Sequence, residues 1–296
     1  MSKDKSLNSL LQIHLAVFLF GSAGLFGKFL NFPSTIIVLG RVVFATIALL
    51  ALLLVKKQKI SLNSNRDYLL LSISGIILAI HWTTFFQSIQ VSSVAIGLIS
   101  FATFPVFVTF LEPYFLKSKL KGADLLIAFA TVVGAALVVP SFDLGNSVTQ
   151  GVVWGLLSAF TFALLSVFNK KNVKTYSSLV IAFYQDLVVA IVLLPFFFFV
   201  SPVIKSVDIF WLLILGVIFT ALSHTLFIQG MAKVKAQTAS IIASLEPIYG
   251  IVFAALLLSE FPSVRTLIGG AIILGAITYS SIFAKHSDEA IPVSEV

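Results

Sequence analysis

The chain has 296 residues, of which 59% are hydrophobic and only 10% are charged, and its formal net charge at pH 7 is +7. A soluble domain carries roughly 25% charged residues, so this composition excludes a water-soluble globular protein and requires lipid as the solvent. Backbone polar groups in lipid must be paired internally, and the apolar runs are about twenty residues long rather than alternating ten-residue strands, so the sequence predicts an all-α integral membrane protein.

Ten transmembrane helices are predicted in chain order. Charged or turn-forming breaks separate apolar runs at approximately 11–30, 34–55, 68–89, 93–116, 121–140, 151–169, 177–200, 208–230, 237–258 and 264–284. The first run is full length, with no small-residue cleavage site after a short apolar core, which favours an uncleaved first helix over a signal peptide. The tail at 286–296 is expected to be disordered.

Basic residues alternate in density between the loops. Fifteen lie in the termini and in every second loop, whereas the other loops hold only Lys28, Lys205 and Arg265. This positive-inside pattern predicts a multi-pass protein of the cell (inner or plasma) membrane with both termini in the cytoplasm. The positive charges do not form one binding face, so no nucleic-acid partner is expected. The oligomeric state is left open.

The chain also reads as a duplicated half. Three residue pairs share an offset of 142: Pro105 with Pro247, Gln87 with Gln229, and Lys28 with Lys170. The offset predicts two five-helix halves, 1–142 and 143–285, which enter the bilayer in opposite directions because each contains an odd number of helices. An inverted repeat with paired broken helices is the architecture of a secondary transporter with a central cavity.

Residues 245–277 resemble the EamA-type repeat of the drug/metabolite transporter superfamily. The resemblance rests on Pro247, on Glu260 about one span later, and on a glycine run at 269, 270 and 275. In the first half Pro105 and Gly134 fit this pattern, but Ser118 stands where Glu260 would map.

This resemblance implies two EamA-like repeats in a basket of ten helices. Helices one, three, four, six, eight and nine would line the cavity, helices five and ten would lie behind it, and helix two would be peripheral. It also implies alternating access and efflux of small metabolites, with amino-acid export as the favoured function.

Pro105 and Pro247 are candidates for gating. Each proline removes a backbone donor and would clash with the carbonyl four residues back, at Phe101 and Ala243. A freed carbonyl is tolerated in lipid where it meets protein or lines a cavity. The prolines therefore predict kinked, cavity-facing helices, although a kink that neighbouring hydroxyls satisfy would be purely structural.

Ionisable residues inside the spans are the next candidates, because each costs roughly 2.5–3.5 kcal/mol at a helix centre. Arg41, in the second span, would hold a substrate carboxylate or lock helices together by pairing with Asp186 or with an interfacial group. Glu246, beside Pro247, is a candidate proton carrier or anchor for a substrate ammonium. Asp186, in the seventh span, is expected to be a structural partner.

A polar and aromatic face in the third span predicts part of the binding site. His81, Trp82, Phe85 and Ser88 lie close together there at helical spacing, and His81 is a second candidate for proton coupling. His224 lies in the equivalent eighth span, one residue out of the common offset. The remaining candidates for the cavity wall are Gln87, Ser100, Gln229 and Tyr249.

Two other functions stay open. Uptake or exchange of a nucleotide-sugar or phosphorylated metabolite would require several basic residues in the cavity, and Arg41 is the single candidate. An intramembrane enzyme would require a catalytic pair or metal ligands. His81, His224 and Glu246 offer metal-binding side chains, but no span carries two such ligands closely spaced on one face. No cofactor or metal is expected, and without a phosphate-binding loop ATP is not the direct energy source.

Overall fold

The computed structural model describes residues 3–116, 122–141, 143–234 and 236–289. These residues form helices and connecting turns, with no strand among them. In chain order the helices are α1 (Lys3–Ala23), α2 (Phe26–Phe29), α3 (Ser34–Val55), α4 (Asn65–Val91), α5 (Val94–Phe101), α6 (Phe104–Leu116), α7 (Gly122–Val138), α8 (Ser147–Asn172), α9 (Ser178–Val200), α10 (Ser206–Gly216), a π-helical segment (Val217–Leu222), α11 (Ser223–Met231), α12 (Ala236–Ala243), α13 (Glu246–Leu258) and α14 (Val264–Glu289).

Among the described residues, eight segments are long and apolar enough to cross a membrane. They are Leu7–Phe29, Ser34–Val55, Asn65–Val91, Val94–Phe115, Ser147–Asn172, Ser178–Val200, Ser206–Met231 and Ile241–Leu258. The predicted fifth and tenth spans correspond to two shorter apolar helices, Leu125–Val138 and Val264–Tyr279. The prediction of a helical membrane protein is therefore confirmed, while the count of ten spans stays a prediction.

Polar side chains at the helix starts explain several of the boundaries. The hydroxyls of Ser64, Ser93 and Ser177 accept hydrogen bonds from the first-turn backbone of α4, α5 and α9. The Asn146 carboxamide does the same for α8. These caps satisfy backbone donors that have no partner within the helix.

The fourth and ninth spans are broken rather than kinked. Helix α5 ends at Phe101 and α6 begins at Phe104, with Pro105 as its second residue. Similarly, α12 ends at Ala243 and α13 begins at Glu246, followed by Pro247. The predicted clash with the carbonyls of Phe101 and Ala243 is therefore wrong. Each proline lies in the first turn of its helix, where a missing backbone donor has no intrahelical acceptor.

The boundaries of these helices repeat at a constant spacing. The starts of α5, α6 and α7 precede those of α12, α13 and α14 by 142 residues in each case. The first two pairs also end 142 residues apart, at Phe101 and Ala243 and at Leu116 and Leu258. The offset seen in the sequence is therefore also an offset between equivalent helix ends. Ser118, and residues 290–296 of the predicted tail, lie outside the described residues, and α14 continues through 286–289.

Long-range packing places α4 along α8, α3 along α9, and α1 along both α11 and α13. Helices α7 and α14 pack mainly against each other. Where α1 meets α13 the backbones are in contact, since a Cβ added at Gly21 would lie 2.8 Å from the Glu246 carbonyl oxygen. Glycine permits this approach, and it brings the start of α13 against α1.

Lys28 and Lys170 cap other helices rather than simply ending their own. The Lys28 ammonium donates to the carbonyls of Gln90 and Ser92 at the end of α4, at 3.3 and 2.9 Å. The Lys170 ammonium donates to the carbonyls of Met231 and Val234 at the end of α11, at 2.7 and 2.6 Å. Each lysine satisfies carbonyls that the helix end leaves without partners.

Glu260 caps a helix from a distant part of the chain. Its carboxylate accepts a hydrogen bond of 2.9 Å from the backbone N–H of Val94, the first residue of α5. A carboxylate is favourable at this position because the first N–H groups of a helix carry partial positive charge. Glu260 thereby ties the region before α14 to the start of the broken fourth span.

Candidate functional site

The central cavity is a small space at the meeting point of seven helices. Its wall consists of Phe20, Ala23, Arg41, Leu78, His81, Trp82, Phe85, Phe101, Phe162, His224 and Glu246. The cavity encloses about 30 Å³, which is room for about one or two water molecules. The described conformation is therefore closed, and a metabolite requires the helices to separate.

Arg41 is held against the π-helical segment. Its Nε donates to the Thr220 hydroxyl at 2.7 Å, and its Nη2 donates to the Phe219 carbonyl at 3.2 Å. The guanidinium carbon lies 4.3 Å from the centre of the Trp82 ring, within the range of a cation–π interaction. These contacts leave the Arg41 charge in the cavity wall while fixing the side chain that carries it.

The position of Arg41 corrects one expectation. The second span is not peripheral, because Arg41 reaches the cavity wall from α3 and is only 2% exposed. Its hydrogen bonds go to the eighth span and not to Asp186. Among the described residues, Asp186 instead lies beside His224, with Oδ1 and Nδ1 3.5 Å apart.

His81 is fixed at one ring nitrogen. Its Nδ1 lies 2.8 Å from the Ser158 hydroxyl oxygen and 3.1 Å from the Ser158 carbonyl oxygen, and that hydroxyl donates to the His81 carbonyl. With the hydroxyl proton so used, Nδ1 carries the proton that the Ser158 oxygens accept. The imidazole packs among the rings of Phe85, Phe101 and Phe162, with centroids 4.8–6.2 Å apart.

Glu246 contributes a carboxyl group from the first residue of α13. The side chain is 4% exposed and lies in the cavity wall. Its position at a helix start favours negative charge, and Arg41 is the charged group that acts on it electrostatically. The cavity wall thus holds a buried carboxyl group and a buried guanidinium from different helices.

His224 contacts both the cavity wall and a buried carboxylate. Its ring meets Trp82 edge-on with centroids 5.5 Å apart. Its Nδ1 lies 3.5 Å from Oδ1 of Asp186, which is fully buried on α9. Asp186 therefore lies behind the wall, with His224 between the carboxylate and the cavity.

The structure brings together six of the predicted site residues: Arg41, His81, Trp82, Phe85, His224 and Glu246. The other five candidates for the cavity wall lie outside it, and Pro105 and Pro247 lie at the helix breaks described above. Gln87 accepts a hydrogen bond from Ser34, and Ser88 donates one to the Gly151 carbonyl. Ser100 packs against Gly155, and Tyr249 packs edge-on against Phe18. Gln229 lines a separate cleft of about 490 Å³.

Sequence reasoning missed several apolar members of the wall. Phe20, Leu78, Phe101 and Phe162 carry no polar signal, and 29 phenylalanines make each one hard to single out. Leu78 lies seven residues, or two helical turns, before Phe85 on α4 and therefore on the same face. Helical periodicity alone could have predicted that Leu78 also faces the cavity. None of the wall residues comes from α7 or α14.

Comparisons with known proteins agree with the architecture. A crystal structure of a protein that is 14% identical superposes with a TM-score of 0.71, covering 95% of this chain and 98% of that one. This likeness shows a shared fold. The uncharacterized transporter YxxF of Bacillus subtilis is 27% identical over 290 residues, which is 95% of this chain and 91% of that protein. A protein of Rickettsia conorii named as an S-adenosylmethionine uptake transporter is 26% identical over 238 residues, covering 79% of this chain and 78% of its own length.

The sequence profile of the EamA-like transporter family matches twice, over residues 7–139 and 149–282. Together the two matches span most of the chain and confirm the resemblance noted in residues 245–277. The chain belongs to the EamA-like transporter family.

Proposed function

We propose that this transporter carries a small metabolite bearing an α-amino-acid group across the cell membrane by alternating access. The observation that carries the proposal is the pairing of opposite charges in one buried wall, Arg41 on α3 and Glu246 on α13. Arg41 would bind the substrate carboxylate and Glu246 its ammonium group. Each buried charge is costly without a partner, and a zwitterion supplies a partner for both.

The aromatic part of the wall suits the remainder of such a substrate. Trp82, Phe85, Phe101 and Phe162 line the same cavity as the two charged groups. Apolar and aromatic walls with a few convergent polar groups are typical of small-molecule sites. These rings would cover the substrate side chain and exclude water while the site is closed.

Alternating access would use the two breaks in the fourth and ninth spans. The short segments between α5 and α6 and between α12 and α13 would act as hinges at which each half-helix moves separately. Movement at the breaks is the step that would enlarge the cavity for a substrate. We propose that residues 1–142 and 143–285 act as inverted repeats about this site, with both termini in the cytoplasm. Pro105→Ala and Pro247→Ala should then slow turnover more than they weaken binding, and unchanged turnover would leave the prolines a structural role only.

Export and uptake are both compatible with this site. Export of amino acids is the expectation from the sequence resemblance. Uptake is the second candidate, because relatives from Rickettsia are named as S-adenosylmethionine uptake transporters. S-adenosylmethionine contains an α-amino-acid group, so it falls within the proposed substrate class.

The two other functions receive less support from the site. A nucleotide-sugar or phosphorylated metabolite would need more cationic side chains than Arg41, the one arginine or lysine among the wall residues. A metal enzyme would need a ligand cluster, and the described residues contain no group of three His, Cys, Asp or Glu side chains placed to hold a metal ion.

Counterflow in proteoliposomes tests the proposal. Vesicles loaded with an unlabelled compound should take up its labelled form, and the panel should contain L-amino acids, S-adenosylmethionine, a nucleotide-sugar and a sugar phosphate. We expect saturable exchange of at least one compound bearing an α-amino-acid group. Exchange of the phosphorylated compounds alone would refute the proposed substrate class.

Glu246→Gln and a matched control sharpen the result. Glu246→Gln should weaken exchange, because the amide cannot neutralise a substrate ammonium. Glu260→Gln makes the same chemical change away from the cavity and keeps an oxygen that accepts the Val94 hydrogen bond, so its exchange should match the wild type. Efflux from preloaded cells, compared with uptake into unloaded cells, then gives the direction of transport.

A further inference from the structure

Asp186 and His224 form a buried polar pair behind the cavity wall. Their facing atoms, Oδ1 and Nδ1, are 3.5 Å apart, and the two side chains are 0% and 4% exposed. Within the described part of the chain, neither carboxylate oxygen and neither ring nitrogen makes a hydrogen bond that meets the usual geometry. The contact between the two side chains is therefore the one polar contact that this pair has there.

This arrangement is unlike a structural lock. A buried carboxylate that serves only packing is normally satisfied by two or three donors, since an ionised group without them costs several kcal/mol. Asp186 has one partner that is itself titratable. Two forms of the pair avoid an uncompensated charge. In one, Asp186 is a neutral carboxylic acid beside a neutral imidazole; in the other, an ionised Asp186 lies beside an imidazolium on His224. Both forms hold one proton, and losing it leaves an uncompensated buried charge.

Among the described residues, few other charged or titratable side chains lie near enough to affect the protonation of this pair. The charged or titratable groups in the wall near the pair are Arg41 from α3, His81 from α4 and Glu246 from α13. The wall residues from α1, α5 and α8 carry aromatic or methyl side chains. Arg41 is the charged group from α3 that acts on Asp186 electrostatically.

We propose that the Asp186–His224 pair is the proton-binding site that couples this transporter to a proton gradient. A proton from cavity water would bind His224 at Nε2, and the proton on Nδ1 would pass to Asp186 Oδ1. The carboxylate becomes a carboxylic acid and the imidazole stays neutral with its tautomer exchanged. The reverse transfer returns the proton to the cavity when the opposite side is open.

Arg41 links this proton to the substrate, a step that rests on the proposed function. Without substrate, the guanidinium charge stabilises the ionised form of Asp186. A substrate carboxylate on Arg41 neutralises that charge, so Asp186 binds its proton more tightly. By linkage, a proton on Asp186 raises substrate affinity by the same factor. Proton and substrate therefore move together, and an inward proton gradient drives uptake.

Trp82 offers a test that needs no substrate, because its ring contacts His224 edge-on. Replacing the other two tryptophans, Trp154 and Trp211, with phenylalanine leaves Trp82 as the one indole. Protonation of the pair removes the Asp186 charge and exchanges the His224 tautomer, and the emission of an adjacent indole responds to such a change in local charge. We expect a pH-dependent change in Trp82 emission that Asp186→Asn and His224→Gln each abolish and that Glu246→Gln retains. No change in the parent, or one that survives Asp186→Asn, overturns the proposal.

Proteoliposomes with the acidic side outside give the functional test, with L-methionine and S-adenosylmethionine as probes. The wild type should accumulate a probe above equilibrium. Asp186→Asn should lose this accumulation and keep counterflow, which needs no gradient. Asp143→Asn, at an exposed loop carboxylate, should behave as the wild type.

The outcomes separate this inference from the proposed function. Accumulation by Asp186→Asn at the wild-type level overturns the coupling site, as does wild-type accumulation that follows a sodium gradient rather than a proton gradient. Absence of wild-type counterflow for every amino-acid compound refutes the proposed function instead, and the Trp82 titration still decides the proton site. If Asp186→Asn does not fold, His224→Gln takes its place in both measurements.

Discussion

Replacing Arg41 with methionine separates substrate binding from helix locking, the two roles that the sequence leaves open for this residue. Methionine keeps most of the side-chain volume and removes the charge and the hydrogen bonds. The predicted result is a large loss of substrate affinity with little loss of stability. The two roles make opposite predictions for the same variant.

The small effect on stability follows from the partners of Arg41. When the guanidinium is removed, the Thr220 hydroxyl still donates to the Leu215 carbonyl at 2.7 Å, and the Phe219 carbonyl still accepts from the Ser223 hydroxyl at 2.8 Å. No polar group that bonded Arg41 loses its last partner, and a buried charge is removed at the same time. The Arg41 charge also acts on Asp186 and Glu246, and a buried carboxylate that loses such a partner takes up a proton rather than staying charged. We therefore expect a change in unfolding free energy of less than about 1 kcal/mol, as when a buried ion pair gives way to apolar groups.

The large effect on affinity follows from the lost bonds to the substrate carboxylate. Hydrogen bonds to charged groups contribute about 1.5–3 kcal/mol, which corresponds to a rise in Kd of about 10- to 150-fold. Binding of a substrate found by counterflow should be measured on detergent-purified protein, together with the melting temperature.

A second arginine provides the matched control. Arg265 donates to the carbonyls of Leu137 and Val139 at the end of α7, away from the cavity. Arg265→Met should lower the melting temperature and leave affinity unchanged. If Arg41→Met behaves in that way, with unaltered Kd and reduced stability, Arg41 is a lock and the proposed carboxylate site is wrong.

Two further predictions concern helix ends and helix contact. Lys28→Met and Lys170→Met each remove the lysine that caps the end of one helix, α4 or α11, and should change the accessibility of the cavity in opposite directions, one variant opening it more and the other less to a given side of the membrane. Labelling of single introduced cysteines measures this accessibility, because the chain has no cysteine of its own. Changes in the same direction would contradict the prediction. Gly250→Ala places a Cβ against the Leu98 side chain and 2.9 Å from the Gly21 carbonyl oxygen. It should destabilise the protein by about 1–3 kcal/mol through overpacking, whereas Gly275→Ala, which meets nothing within 4 Å, should not. Equal melting temperatures for the two variants would refute the close contact of α13 with α1 and α5.

Much of the site could be predicted from the sequence, because polar residues inside apolar spans are rare and visible. His81, Trp82, His224 and Glu246 stand out for this reason, and the structure places all four in one wall. The positions of the helix breaks follow from the prolines at 105 and 247. The predicted kink differs from the observed break because sequence shows where a backbone donor is missing, but not where the helix restarts.

The remaining features depend on how helices meet, which one sequence does not encode locally. Nothing in the second span indicates that Arg41 faces the cavity rather than a neighbouring helix. Gln87 and Gln229 share the repeat offset, yet one bonds Ser34 and the other lines a separate cleft. The offset reports equivalent positions along the chain and says nothing about which side of the helix faces the substrate.

The π-helical segment lies in a stretch that is one residue longer in the second half than in the first. From the start of α4 at Asn65 to the start of α5 at Val94 there are 29 residues, and from Ser206 to the start of α12 at Ala236 there are 30. A π turn is the way in which a helix absorbs a single inserted residue without kinking. Removing one residue from Val217–Leu222 would restore a plain α-helix and close the widened turn from which the Phe219 carbonyl accepts a hydrogen bond from Arg41. The Phe219 carbonyl that accepts from Arg41 thus lies in a segment that is one residue longer in the second half than in the first.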